Sequence, residues 1–384
     1  MADITYGKAT AKDYEDLVDF GNYVFSHAHG PLDSPSLVPK LYKRERFVPE
    51  NHYVVWEGGR VKANIGAYPM TYRVCGETVK TFGIGWVAVH PYSRSKGYMK
   101  LLMNEIDADM RSMGMELGCL GGQRQRYEYF GFAKCGAQFV FSFNKVNIRH
   151  AFGSRYASGI VIKEVTEGDG AELDWIHRAH CGKEAYVERP RPELHEIMSS
   201  WRNRTLAVYK GDEMIGYLGV SNDYSFIQES CVKDLSLTNE IIGLYLAQYD
   251  IGGVRIKAFP HERQKIDVIS RTAESYELTD SYNFNVMDYP GVIKKFAKLK
   301  ASPAPDGKVV VKVGDSQNVK ISAKGGVVDA CETTEEPDYI VSHLEAMKCF
   351  FSPVFFYAGG ALYQNAFARG LFPIPLYIEN NDDV

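Results

Sequence analysis

Apolar positions in the first third of the chain switch between two periods. From Asp13 to Phe25 they recur at helical spacing (Tyr14, Leu17, Val18, Phe20, Tyr23, Val24), which predicts an amphipathic helix. His52-Tyr53-Val54-Val55-Trp56 reads as a strand, Glu57-Gly58-Gly59-Arg60 as a tight turn, and Val61 to Tyr72 as the return strand of a hairpin. A shorter hairpin follows, turning at Cys75-Gly76-Glu77 and returning through Thr78 to Thr81. Gly83 to Val89 then predicts a buried strand, stopped at His90-Pro91 because proline cannot donate to a ladder. Tyr98 to Met113 places Met99, Leu102, Met103, Ile106 and Met110 on one helical stripe, and Gly114 ends it. Leu117 to Leu120 and Phe139 to Phe143 are short strands.

Around Arg155 to Gly159 the pattern resets. A helix over Gly170 to His180 leads to a second hairpin, Leu206–Tyr209 and Met214–Val220, which echoes the first and suggests an internal repeat. A third region opens near Met287 with a helix over Pro290–Leu299. Strands follow at Lys308–Val313, Val319–Ser322 and Gly326–Val328, and then a helix over Tyr339–Phe350. The tail is apolar over Leu371–Ile378 and acidic from Glu379 to Val384.

A chain of 384 residues exceeds one ordinary core and suits two or three domains. Its net charge of −4 supplies no basic face for nucleic acid. No run approaches the length of a membrane span and the N-terminus is unlike a signal peptide, so a cytoplasmic protein with no membrane partner is the expectation. The 7 cysteines are scattered, with no ligand spacing, so neither a disulfide framework nor a metal is expected.

The informative order is strand, then Arg94-Ser95-Lys96-Gly97-Tyr98-Met99, then helix. A loop feeding a helix N-terminus aims unpaired N–H groups and a partial positive charge at one spot, where a pyrophosphate fits. Gly97 admits close backbone approach, and Arg94 and Lys96 add charge. The preceding Val87-Ala88-Val89 can offer backbone groups to an extended amide-bearing arm. A P-loop or dinucleotide fingerprint would share this geometry, but G-x-x-x-x-G-K-[ST] is absent and Gly83-Ile84-Gly85 precedes a strand rather than opening a helix.

The run Trp86 to Gly97, followed by a helix, resembles the acetyl-CoA signature of the GNAT acetyltransferases, with Met99 departing from the last position of [QR]-x-x-G-x-[GA]. With Tyr127-Glu128-Tyr129-Phe130-Gly131-Phe132 and the chain length, it resembles the Eis-like N-acetyltransferases. The resemblance implies an α/β (α+β) chain with a catalytic GNAT domain (1–155) and a second GNAT-like domain without the cofactor motif (156–286). A C-terminal sterol-carrier-type domain (287–384) would follow, its tail reaching the active site. The segment after the second hairpin, Asp234-Leu235-Ser236-Leu237-Thr238, indeed has no R-x-x-G.

The same resemblance implies acetyl transfer from acetyl-CoA to a primary amine: a polyamine-like or aminoglycoside amine, or a lysine side chain. Val87, Ala88, Val89, Arg94, Ser95, Lys96, Gly97, Tyr98, Met99, Lys100, Gly122 and Gln123 would hold the donor. Tyr127 would be the general acid, with Tyr129 its nearest rival. A phenol (pKa about 10) can protonate a thiolate whose thiol has a pKa of about 8.5 as charge develops. The C-terminal carboxylate, here of Val384 where the family has an aromatic residue, would be the base. Homo-oligomers built from trimers, up to hexamers, are implied too. Phe25 to Asp33, with His27, His29 and Asp33, could line an amine pocket or be an ordinary loop. The acidic tail (Glu379, Asp382, Asp383) would suit a polycationic acceptor by charge. Cys119 and Cys135 lack an evident His partner, which favours direct transfer. The alternatives are transfer of another acyl group, and an acyl-CoA-sensing or lipid-binding protein without activity.

Overall fold

In the computed structural model, which describes residues 3–153, 159–358 and 360–384, the first hairpins form as their alternation predicts. Strands β1 (Ile4–Lys8), β2 (His52–Glu57), β3 (Arg60–Val74) and β4 (Glu77–Val89) are antiparallel neighbours. The predicted strands at Thr78 and at Gly83 are one continuous strand, β4. α1 (Tyr14–His29) and two single-turn helices, α2 (Ser34–Leu37) and α3 (Pro39–Tyr42), cover one face. α4 (Tyr98–Ser112) covers the other and sends Leu102, Met103, Ile106 and Met110 into the core. β5 (Leu117–Leu120) then pairs with β4 in parallel.

Two strands trade places between sheets. After β6 (Ala133–Cys135), β7 (Gln138–Asn144) joins the second sheet, although it precedes the predicted boundary at 155. That sheet also holds β8 (Ile160–Glu164), β10 (Arg204–Lys210), β11 (Glu213–Val220), β12 (Phe226–Val232), β13 (Gly253–Ala258) and β14 (Ser275–Thr279). β15 (Tyr282–Val286) returns to the first sheet, between β5 and β6, and β9 (Ala185–Val187) pairs with β3. The two sheets are therefore not separated at 155, a position outside the described residues. The reason is hydrogen bonding: β7 completes its ladder with β13 and β14, which lie more than 100 residues later in sequence.

The predicted repeat is visible in topology. β12, helix Thr238–Gln248 and parallel β13 repeat the order β4, α4, β5. The last sheet has the order β18-β17-β16-β19, from β16 (Gly307–Val313), β17 (Gln317–Lys324), β18 (Val327–Glu332) and β19 (Tyr339–Val341). Here the predicted helix over Tyr339–Phe350 is corrected. Tyr339-Ile340-Val341 pairs in parallel with β16, and the helix begins at His343, where the Ser342 hydroxyl caps the Glu345 N–H. Core packing is continuous from β3, β5 and β15 through this sheet to the Phe372–Ile378 tail.

Candidate active site

β4 and β5 stay paired only to Ile84 and Leu120; β4 then runs on to Val89 paired with β3 but without β5. A bulge against β3 falls in this stretch: Gly85 faces Gly66 and Ala88 faces Asn64, so Trp86 and Val87 share one opposite position. Trp86 takes φ 51°, unusual for a bulky side chain. A bulge leaves main-chain groups outside the ladder, and the parting strands leave a slot beside them. Val87 and Val89 are half-buried along this edge, and Ala88 is fully buried.

The slot leads to the start of α4. Gly97, at φ 83°, precedes the helix with no side chain capping it, so its first N–H groups form an anion-accepting end. Arg94, Ser95, Lys96 and Lys100 are exposed around it. Lys96 donates to Glu57 at 2.9 Å, Tyr98 is buried with its hydroxyl on the same carboxylate at 3.1 Å, and Lys100 lies over the Tyr129 ring at 5.3 Å. Met99 is half-buried against the core beneath α4.

A cavity of about 620 Å³ opens where the strands part. Val87, Gly122, Gln123 and Tyr127 line one side and Val384 closes another, so residues more than 250 positions apart meet here. Tyr127 ends the short helix Arg124–Tyr127; its ring packs against Gly122, whose φ of 150° and missing Cβ permit that contact. Burial pushes its phenol up against the opposing charge of Arg126, so the group holds its proton at neutral pH. Tyr129, by contrast, is exposed and lines a separate cavity with Phe130 and Arg111. Burial pushes the thiols of Cys119 and Cys135 up as well, so neither carries a ready thiolate.

The tail is not frayed. Leu376 accepts from the Ala137 N–H and the Ser281 hydroxyl, at the point where the exchanged strands cross. Arg189 forks onto Asp382 (2.7 and 3.0 Å) and Glu229 (3.2 and 3.0 Å), all three buried. Lys183 bridges Glu229 and Glu379 at 2.8 and 3.1 Å, and buried Lys40 donates to the Asn381 carbonyl at 2.6 Å. Asp383 accepts from Tyr282 and lines the cavity. The main-chain carboxyl carbon and oxygen of Val384 then lie 2.7 Å from where a Cβ on residue 85 would sit. Gly85→Ala is therefore expected to push the Val384 carboxyl out and cut turnover at least tenfold, since a misplaced group of this kind costs 10²-fold or so. Donor binding, read by calorimetry, should persist; unchanged turnover would show that this contact is dispensable.

This arrangement corrects one reading. The tail acids cannot serve as a polycation-attracting cluster, because Asp382 and Glu379 are buried against Arg189 and Lys183. Burial also raises the Glu229 carboxyl, but Arg189 and Lys183 outweigh it and hold the group well below the usual range. Its stabilisation is thus complete above the unfolded pKa of about 4.3 and is lost only as pH falls further, through the depressed folded value. Arg189→Met, which strands two buried carboxylates, is expected to destabilise by about 3–5 kcal/mol in urea unfolding. A change below about 0.5 kcal/mol, ordinary for a surface site, would contradict the anchoring role.

Other candidates take structural places. The Asp33 carboxylate caps Ser36, His27 bonds the Tyr23 carbonyl at 2.8 Å, and His90 accepts the Tyr92 N–H in the turn after β4. The His29 side chain is outside the described residues. Sequence reading missed Lys40, Arg189, Glu229, Tyr282 and Trp201, since each lies in a different segment and the docked tail alone brings them together. Among the described residues no group of three or more His, Cys, Asp or Glu could hold a metal ion, and no helix is long and apolar enough to cross a membrane.

Residues 5–135, which carry the slot, the α4 end and Tyr127, match the family model described as an acetyltransferase (GNAT) domain. Residues 5–135 thus carry a GNAT acetyltransferase domain, and the chain is an acetyl-CoA-dependent acyltransferase by class. In fold, the whole chain is Eis-like: it is similar to Eis1 from Mycobacterium abscessus (TM-score 0.65, 13% identity, covering 100% of both chains). It is similar also to a GCN5-related N-acetyltransferase from Kribbella flavida (TM-score 0.69, 17% identity, 98% of this chain and 100% of that one). A third, from Anabaena variabilis, gives a TM-score of 0.70 at 14% identity over 98% of this chain and 100% of that one. No curated protein matches in sequence.

Proposed function

We propose that this protein moves the acetyl group of acetyl-CoA directly to a primary amine, with Tyr127 as general acid and the Val384 carboxylate as base. The observation that carries this reading is that Tyr127 and Val384 wall one cavity, with Val87, Gly122 and Gln123 beside them. Acetyl-CoA supplies an activated thioester. The side of Val87–Val89 that β5 leaves open bonds its amide-bearing arm, and the uncapped end of α4, with Arg94, Ser95, Lys96, Gly97 and Lys100, takes the phosphates.

Val384 draws a proton from the amine nitrogen, leaving a lone pair free to attack. The Tyr127 hydroxyl, kept protonated by burial, gives its proton to the departing sulfur. The raised thiols of Cys119 and Cys135 favour this direct route over an acyl-cysteine. The layout we adopt is a catalytic GNAT unit, a second GNAT-like unit and a sterol-carrier-type C-terminal unit. In the second unit Asp234 caps the turn before the helix, where a phosphate loop would need positive charge. We adopt with it the trimer-based assembly and cytoplasmic location that the Eis-like resemblance implies, and light scattering of the purified protein tests the assembly.

The decisive assay follows free CoA thiol across a panel of primary amines with acetyl-, propionyl- and malonyl-CoA. Amine-dependent release, fastest with acetyl-CoA, is expected. Tight acetyl-CoA binding with no release for any amine would mark the protein as a sensor and overturn the transfer reading.

A further inference from the structure

The cavity that holds Tyr127 and Val384 has a second wall that the acetyl-transfer chemistry leaves unused. It is built by Phe25 of α1, Leu32, Leu37 and Val38 around α2, Trp86 at the β4 bulge, and Trp201 from beyond the first sheet. The amine must lie against its proton acceptor. Val384 packs in the same apolar cluster as Phe25, Leu37, Val38 and Trp86, so this wall is on the amine side of the reaction centre.

Trp201 is held there deliberately. It and Arg202 take φ 61° and 58°, two successive bulky residues in the left-handed region, a conformation that persists only where the surroundings enforce it. Its indole N–H donates to the Asp383 carbonyl at 3.4 Å, and the side chain stays 39% exposed while lining the cavity. A large flat ring kept open to solvent beside a reaction centre is suited to cover another flat ring.

The charges of the cavity fit one cation and no more. Among the described residues its acidic groups are Asp383 and the main-chain carboxyl of Val384, and Asp383 already accepts from Tyr282. The remaining tail acids are spent on Arg189 and Lys183. A second positive charge on an acceptor would face Arg126 in the lining, with buried Lys40 close behind the tail.

We propose that the acceptor is an arylalkylamine: one primary amine on a short arm from a flat aromatic body, with the body between Trp201 and the Phe25–Val38 wall. This rests on the transfer reading above and adds the substrate class to it. The amine nitrogen meets the Val384 carboxylate, and the ring fills the apolar wall that a polyamine would leave dry and unpaired.

The test compares 2-phenylethylamine, spermidine and N-acetyl-lysine amide as acceptors with acetyl-CoA, reading thiol release, and repeats 2-phenylethylamine with hexanoyl-CoA. Burying a phenyl group against such a wall is expected to give 2-phenylethylamine a kcat/KM roughly 10- to 100-fold above that of spermidine. Trp201→Ala should raise KM for 2-phenylethylamine about tenfold and shrink its kcat/KM advantage over spermidine by a similar factor, and Trp201→Phe, which keeps a flat ring, should restore most of that advantage. A preference for spermidine or the lysine amide would overturn the aromatic assignment while leaving acetyl transfer intact. Faster turnover with hexanoyl-CoA than with acetyl-CoA would give the wall to the acyl chain and overturn it as well. No release with any of the three amines, with acetyl-CoA binding retained, would instead bring down the transfer reading itself.

Discussion

Replacing Tyr127 with Phe is expected to lower kcat roughly 100- to 10,000-fold with a good amine, the range typical for loss of a positioned general acid. The Phe ring keeps the contact with Gly122 and the packing of the buried ring, so acetyl-CoA affinity should be nearly unchanged. The lost step is proton delivery to sulfur. Because burial raises this phenol above its ordinary pKa of about 10, the acid stays charged with its proton through neutral and moderately alkaline pH. The wild-type rate should therefore rise as the amine deprotonates and show no alkaline fall until above about pH 10. A kcat within twofold or so of wild type would remove Tyr127 from the chemistry. Tyr129→Phe, at an exposed position outside the cavity, should leave the rate unaltered.

A comparable loss is expected when the chain is extended beyond Val384. Adding residues turns the terminal carboxylate into a neutral amide and forces more chain into a space where that group already touches the Gly85 backbone. The base is lost while the anchors upstream, Arg189 with Asp382 and Lys40 with the Asn381 carbonyl, remain. Turnover should drop roughly 100-fold or more, with donor binding and unfolding midpoint retained. Extension without effect would exclude the carboxylate as base. A drop that accompanies a lowered unfolding midpoint would instead trace the loss to tail undocking.

Much of this site was legible in the order of residues. The strand, the Arg94–Met99 loop and the amphipathic α4 follow from local periodicity and from what a helix N-terminus does to charge, so they emerge from a window of about 30 residues. The sheet exchange was not legible. β7 and β15 are ordinary apolar strands, and which ladder each completes is decided by partners far away in sequence. Tyr339–Val341 shows the same limit on a small scale: an aromatic and two β-branched residues beside a helical pattern became strand because β16 offered an edge. The tail was half legible. Its apolar run announced burial, but its acids looked solvated, and only the docked structure pairs them with Arg189, Lys183 and Tyr282.

The central claim is direct transfer within one cavity, and initial-velocity kinetics test it most directly. Acetyl-CoA and an amine are varied together while free thiol is read, and the enzyme's intact mass is followed with acetyl-CoA alone. Intersecting reciprocal plots, with no acetyl group gained by the protein before amine is added, are the expected result. Parallel plots with an acetylated protein would contradict the account.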